Sequence, residues 1–334
     1  MSLYRKLSSK PKLFLSVAGI SLSDFQRLLP DFADTFRQLE SERQRRTVQT
    51  QAERQRAIGG GSQFAHQLPD QLLMLLLYYR LYLTQELMTL LFKVDSKSAI
   101  CRNIQLMRAV CQTVLPVPAK ALRRILELAQ KEQARRTKRI GNVEEFQQAY
   151  PELTFLIDGV EQPKRKPQDK QPRKDDYSGN KKRHTRKQVV LGTPARIIVD
   201  QSPSVGGRAH DFQVFKEDHA RRGVLTQLKE YRATIYGDSG FQGLAELGLP
   251  TEPRVIKRGR RNHPLTYEER KLNRLRASIR MEIEHTFSRR KKYRMASEEY
   301  RNRDADDDHT MEVVSGLVNL RAYDRIFQRT GLRL

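Results

Sequence analysis

The sequence predicts an α/β domain, a mixed sheet with flanking helices, preceded by an all-α segment of helix-turn-helix type. Three observations carry that prediction. Between residues 68 and 114, apolar residues recur at helical spacing in three consecutive runs. Beyond residue 151, short apolar runs bounded by Gly, Pro and Asp have the composition of strands. These runs then alternate with amphipathic stretches long enough for helices, so strands and helices share one domain.

Residues 1–62 read as a helical arm suited to dimerisation and DNA contact. The opening MSLYRKLSSKPKLFLSVAGISLS places basic residues before an apolar stretch, as a secretion signal would, but no small-residue cleavage site ends it. It runs instead into SLSDFQRLLPDFADTF, where Phe25, Leu28, Leu29 and Phe32 recur as one helical face. One or two helices are expected over 23–57, closed by Gly59, Gly60 and Gly61, which read as a hinge.

Residues 63–118 hold DQLLMLLLYYRLY, TQELMTLLF and DSKSAICRNIQLMRAV, three helices with very short connections. Thr84 is placed to cap the second, and Asp95 or Ser96 the third. The last two have the lengths of a helix-turn-helix. An ordinary helical bundle fits the spacing equally, and the overall charge favours the DNA-binding motif. In that motif the start of the second helix faces base edges, which makes Lys97, Ser98 and Arg102 the reading and anchoring candidates. A basic helix over about 120–138 sits in a helical linker, residues 119–150.

Residues 151–334 form the predicted α/β domain. LTFLIDGV is a strand ending at Asp158, and KRKPQDKQPRKDDYSGNKKRHTRK after it lacks apolar periodicity and reads as a solvated charge run. QVVLGT and ARIIVD predict a hairpin, HDFQVFKEDH and GVLTQLKEYR two helices, ATIYGDSGF a strand ending at Asp238, and TEPRVIKRG a short strand. A long helix follows over about 266–292. The last, roughly 308–328, starts behind DADDD, whose acids suit a helix N-terminus.

The bulk numbers narrow the function. The 334 residues include 63 Lys and Arg against 39 Asp and Glu, a formal charge of +24. Such an excess implies a polyanionic partner. A membrane is disfavoured, because the longest apolar run, LLMLLLYYRLYL, is too short to span a bilayer and contains Arg80. Cys101 and Cys111 form no CxxC and no disulfide framework, which suits a cytoplasmic protein. Phosphate loops, GxGxxG, HExxH and GxSxG are missing, so no nucleotide cofactor is expected.

Asp158 and Asp238 each end an apolar strand before a Gly or Ser-Gly turn, where α/β sheets present their sites. A third acid stands in RMEIEHTFSRRKKYR, which offers Glu282 and Glu284. Neither has a basic residue four positions on, since Thr286 and Ser288 stand there, so the favoured intrahelical ion pair is absent. The two flank opposite edges of the stripe Leu275, Ile279, Ile283 and Phe287, and spacing alone leaves the choice open. Three hard oxygen donors from three elements suit one or two Mg²⁺ ions, with Mn²⁺ as a substitute. Metals held by carboxylates serve phosphoryl transfer.

At FLIDGVEQPKRKP, YSGNKKRHTRKQ, SVGGRAHD, YGDSGFQG and the long block from HPLTYEERK to YRNR, the sequence closely resembles bacterial transposases of the IS5 insertion-sequence family, in the group related to Harbinger elements. The resemblance covers nearly the whole chain. It implies an RNase H-like DDE catalytic domain, with the acids on Asp158, Asp238 and Glu284, and leaves Glu282 a structural ion pair. It also implies a nucleoid-associated homodimer acting on double-stranded DNA, both terminal inverted repeats and target. Val160 departs from the family, which has a hydroxyl there. The alternatives are a same-fold nuclease without strand transfer and an inactive, sequence-specific DNA-binding repressor.

Further DNA contacts are expected from Lys181, Lys182, Arg183, His184 and Lys187 in the charge run, and from Arg289, Arg290, Lys291, Lys292 and Arg294 on the helix of Glu284. Tyr177 is a candidate for stacking on a displaced base. His210 and Asp211 are expected to support the site, and His285, about 100° round the helix from Glu284, to stay out of it.

Overall fold

A computed structural model describes residues 2–50, 66–135, 154–249, 252–302 and 306–330. The expected hinge at 59–61 and the linker beyond residue 135 lie outside the described residues. The chain divides into two compact units: residues 1–115 with 292–295, and residues 116–291 with 296–334. No helix among the described residues is long and apolar enough to cross a membrane.

The first unit is all helix: α1 (Leu3–Ser8), α2 (Pro11–Ala18), α3 (Leu22–Thr50), α4 (Leu68–Leu81), α5 (Gln85–Phe92) and α6 (Lys97–Val114). Local chemistry sets most boundaries. Pro11 opens α2 without losing a needed donor, and Gly19, at φ +82°, ends it. The Thr84 hydroxyl accepts from the Leu87 amide and the Ser96 hydroxyl from the Ala99 amide, so both expected caps form. α4 is buried along Leu72–Tyr79 because α1, α2 and α6 surround it, which accounts for its apolar residues all round. Residues 292–295 join this unit through Tyr293. Its hydroxyl donates to the Gly19 carbonyl at 3.2 Å, and the Arg80 guanidinium lies 5.5 Å from its ring centre.

The second unit is a seven-stranded mixed sheet with helices. Its strands are β1 (Thr154–Pro163), β2 (Tyr177–Ser178), β3 (Arg183–Gly192), β4 (Ile198–Gln201), β5 (Val205–Gly206), β6 (Thr234–Gly237) and β7 (Arg254–Val255). One edge of β3 pairs antiparallel with β1, while β2, β5 and β4 share its other edge. β6 lies parallel to β1, and β7 parallel to β6. β4, β3, β1, β6 and β7 thus form one continuous path across the sheet.

The helices are α7 (Pro118–Arg135), α8 (Lys170–Asp175), α9 (Asp211–Arg221), α10 (Val224–Glu230), α11 (Tyr267–Lys291) and α12 (Asp307–Thr330), with short 3₁₀ helices at Ser239–Leu247 and Arg294–Ala296. Phe155 and Ile157 of β1 join Val189, Leu191, Val199 and Ile235 in the core, covered by Phe215 of α9, Leu228 of α10 and Leu122 and Ile125 of α7. α11 packs against β1 and β6, and Ile283 sits where a side chain at Gly192 would be, 2.8 Å from the position of its Cβ. α12 is tied to β4 by buried Asn319, whose amide pairs with both backbone groups of Ile198 at 2.7 and 2.8 Å.

The charge run at 164–187 is more ordered than its composition suggests. It contains α8, β2 and the first half of β3, and Thr185, Arg186 and Lys187 are buried. Pairing explains this. Arg186 bonds Asp307 at 3.0 Å and lies 4.1 Å from the Tyr300 ring centre. Asp307, expected to cap the last helix, is itself buried between Arg186 and the Ser204 hydroxyl.

Candidate active site

Two strands and one helix carry the three expected acids. The β1–β6 register matches Leu156 with Tyr236, so two residues further on Asp158 stands level with Asp238. Asp238 closes β6, and its carboxylate accepts from the Gly240 amide at 2.8 Å as the cap of the following 3₁₀ helix. Glu284 comes from α11, which Ile283 seats on Gly192. It is 55% exposed, whereas the Asp158 side chain is 15% exposed.

Asp158 is the electrostatic centre of the group. Its carboxylate accepts from the Gly159 amide at 2.8 Å and from Arg280 Nη1 at 2.5 Å. Arg280 also reaches Glu284, with Nη2 3.5 Å from Oε1. Burial nevertheless pushes the Asp158 carboxyl up to about 6; Arg280 and the Gly159 amide pull it down, and the charges of Glu284 and Asp238 push it up. Asp158 is therefore within electrostatic reach of both Glu284 and Asp238. Glu282 points elsewhere: it pairs with Arg196 through two bonds, one of them 3.3 Å, in the turn between β3 and β4.

The donor set suits a divalent cation. Carboxylate oxygens are the donors such an ion takes, Asp158 is the buried one of the three, and Arg280 pairs with both it and Glu284. Among the described residues no three His, Cys, Asp or Glu side chains are gathered closely enough to hold a metal ion. Instead the guanidinium bridges Asp158 and Glu284.

Comparison with known proteins concerns the same part of the chain. Residues 157–319 match the family model described as DDE superfamily endonuclease. This segment is similar to DDE superfamily endonuclease domains. The chain is also 25% identical, over 254 residues, to a probable transposase for insertion sequence element IS702 from Microchaete diplosiphon, covering 75% of this chain and 80% of that protein. No solved structure matches. The chain thus resembles DDE-type insertion-sequence transposases along most of its length.

Near Asp158, Asp211 opens α9 and takes Lys187 Nζ at 2.8 Å. Its carboxylate leaves no space for a side chain at Gly159, where a Cβ would stand 2.4 Å from Oδ2. His210 precedes it as the helix cap, exposed and without a side-chain capping bond. His285 is exposed beside Glu284.

The basic residues divide. Lys181, Lys182 and Arg183 are exposed at the β2–β3 turn, with half-buried His184 edge-on to Tyr177 at 5.5 Å. Lys291, Lys292 and Arg294 are exposed and Arg289 half-buried. In the first unit, Lys97, Ser98 and Arg102 are exposed at the start of α6, and Lys97 pairs with Glu86 at 2.8 Å.

Two expected DNA contacts lie inside. Lys187 is buried, its ammonium between Asp211, Glu161 at 3.7 Å and the Ala209 carbonyl at 2.8 Å. Arg290 is 3% exposed, bonds the Gln188 amide oxygen and is pushed down to about 10 by burial. Distant residues answer both charges: Asp211 pairs with Lys187, while Gln188 accepts from Arg290 and the charge of Asp307 acts on it.

Arg280 was missed in this role. Its position four before Glu284 signals a shared face, but the weaker pairing order gives no hint that it reaches Asp158 across 122 positions.

Proposed function

We propose that the chain is the transposase of an insertion sequence of the IS5 kind, which binds the element's terminal inverted repeats as a homodimer, cuts the DNA ends in the cytoplasm and joins their 3′-hydroxyls to target DNA. The observation that carries this reading is Arg280 spanning Asp158 of β1 and Glu284 of α11, beside the strand that ends at Asp238. The DDE match and the transposase relative support it.

In this reading Asp158, Asp238 and Glu284 hold one or two Mg²⁺ ions, or Mn²⁺ in their place. Bound there, the metal would activate the attacking water or 3′-hydroxyl and stabilise the leaving oxygen. The chain's own residues do the remaining work. β1 and β6 fix the two aspartates at one level, and α11 delivers Glu284 with Arg280 between the acids. Exposed Lys181, Lys182, Arg183, Lys291, Lys292 and Arg294 contact phosphates, with His184 near the scissile one. α5 and α6 act as the helix-turn-helix, reading bases through Lys97, Ser98 and Arg102. The Glu86–Lys97 pair is solvent-exposed and weak enough to yield Lys97 to DNA.

A pre-cut donor end with a free 3′-hydroxyl, offered with target duplex and Mg²⁺, tests the joining step. Covalent donor–target product is expected. Cleavage of intact ends without any joining would reduce the chain to a nuclease, and end binding without cleavage under any divalent ion would make it a repressor.

A further inference from the structure

The segment from Arg254 to His263, RVIKRGRRNH, carries five Lys and Arg and no acid. Nothing in the reading above uses it. It leaves the sheet at β7, the strand beside the one that ends in Asp238. Lys257 to Pro264 are all exposed. The turn is nonetheless built. Arg260 and His263 exchange backbone hydrogen bonds, both 3.0 Å, so Arg261 and Asn262 form its tip. Asn273 of α11 holds both backbone groups of Lys257 at 3.0 Å, and Arg276 donates to the Val255 carbonyl at 2.6 Å. Arg258 donates to the hydroxyl of Ser239, next to Asp238, at 2.9 Å. Among the described residues neither Arg260 nor Arg261 pairs with a carboxylate.

An exposed pair of arginines on a turn clamped to two catalytic elements has a pre-formed geometry and an unanswered charge. Solubility does not call for it in a chain already at +24. Phosphates spaced along a nucleic-acid backbone are the ligand that matches two adjacent guanidinium groups presented by a rigid turn. The turn rises beside Asp238, at the end of the sheet that carries the candidate active site.

We infer that residues 257–263 form a phosphate-binding finger that grips the DNA backbone beside the cleavage site through Arg260 and Arg261, without reading sequence. This rests on the proposed action on DNA and adds a surface to it.

The test uses the full chain and a non-specific DNA duplex, with affinity measured by fluorescence anisotropy across a salt series. The variants are Arg260→Gln with Arg261→Gln, Arg260→Lys with Arg261→Lys, and a charge-matched control, Lys216→Gln with Lys229→Gln, on helices α9 and α10. Each lost phosphate contact lowers the slope of log affinity against log salt by about 0.9. The double glutamine variant should therefore show a slope shallower by about two and, near 0.1 M salt, affinity lower by roughly 10- to 60-fold. The lysine variant should keep the parent slope, the control should change it little, and all should melt with the parent.

A glutamine variant with the parent's slope, or a control that loses as much, would overturn the finger. So would a lysine variant that loses as much as glutamine, or arginine-dependent binding seen only with phosphatidylserine vesicles. A parent chain that binds no DNA would overturn the finger together with the proposed function, and that outcome is separate from a parent that binds while the variants match it.

Discussion

Replacing Asp158 by Asn should make the metal-free protein more stable while removing its activity. The carboxyl is pushed from 3.8 up to about 6, so at neutral pH the folded chain holds a charge in a place that resists it. At about 1.4 kcal/mol per pK unit, the shift of about two units corresponds to roughly 3 kcal/mol. Asn keeps the shape and an acceptor for Arg280 but carries no charge, so most of that penalty disappears. In a domain of this size the melting temperature should rise by roughly 6–12 °C at neutral pH. The pH dependence has a fixed sign. Because the folded pKa is raised, the folded state binds the extra proton between 3.8 and about 6, and the parent's stability falls as pH rises through that window. The advantage of Asp158→Asn should therefore be full above about 6 and fade as pH falls toward 3.8. Thermal melts in chelator over a pH series measure it, and Mg²⁺ should then raise the melting point of the parent but not of the variant. An Asn variant no more stable than the parent at neutral pH, or an advantage that ignores pH, would refute the picture of a desolvated carboxyl crowded by Glu284 and Asp238.

Other consequences follow from particular contacts. Arg280→Gln removes the cation bridging Asp158 and Glu284, and should lower stability in chelator by about 1–3 kcal/mol, a deficit that Mg²⁺ shrinks; a deficit unchanged by metal would count against the shared site. Asp307→Ala leaves Arg186 and Arg290 without their buried acid and should cost about 3–5 kcal/mol in denaturant titration. Gly159→Ala forces Asp211 off Lys187, with an expected loss of about 1–3 kcal/mol and of DNA cleavage beyond any loss of DNA binding. Arg290→Gln should leave the salt dependence of DNA binding untouched, whereas Lys291→Gln with Lys292→Gln should make it shallower, because only the latter two are exposed.

What the sequence made legible was local. Thr84 and Ser96 cap helices through amides three residues away, and such contacts are set by neighbouring residue types. The apolar runs ending at Asp158 and Asp238 are strands because side-chain alternation and a turn residue define them within a few positions. The choice of Glu284 over Glu282 came from family resemblance; in the structure Glu282 is engaged by Arg196, which stands in a turn at φ +68°. The stripe assigned to α11 holds only in its second half, since Ile283 and Phe287 are buried while Leu275 is 58% exposed.

Long-range charge pairing was not legible. Arg186, Lys187 and Arg290 sit in runs of like residues, where composition favours a solvated face. Lys187 pairs with Asp211, Arg186 pairs with Asp307, and the charge of Asp307 acts on Arg290, acids that a local window does not contain. Arg280 escaped for the same reason, because its important partner lies 122 positions away.

The most direct test of the central claim, that Asp158, Asp238 and Glu284 act as one site and Glu282 does not, is Mg²⁺-dependent cleavage of DNA carrying the element's ends. The parent is compared with Glu284→Gln and Glu282→Gln. The account predicts that Glu284→Gln abolishes cleavage while still binding the ends, and that Glu282→Gln cuts like the parent with at most a small loss of stability from its freed Arg196. Normal cutting by Glu284→Gln, or loss of cutting by Glu282→Gln alone, would contradict it.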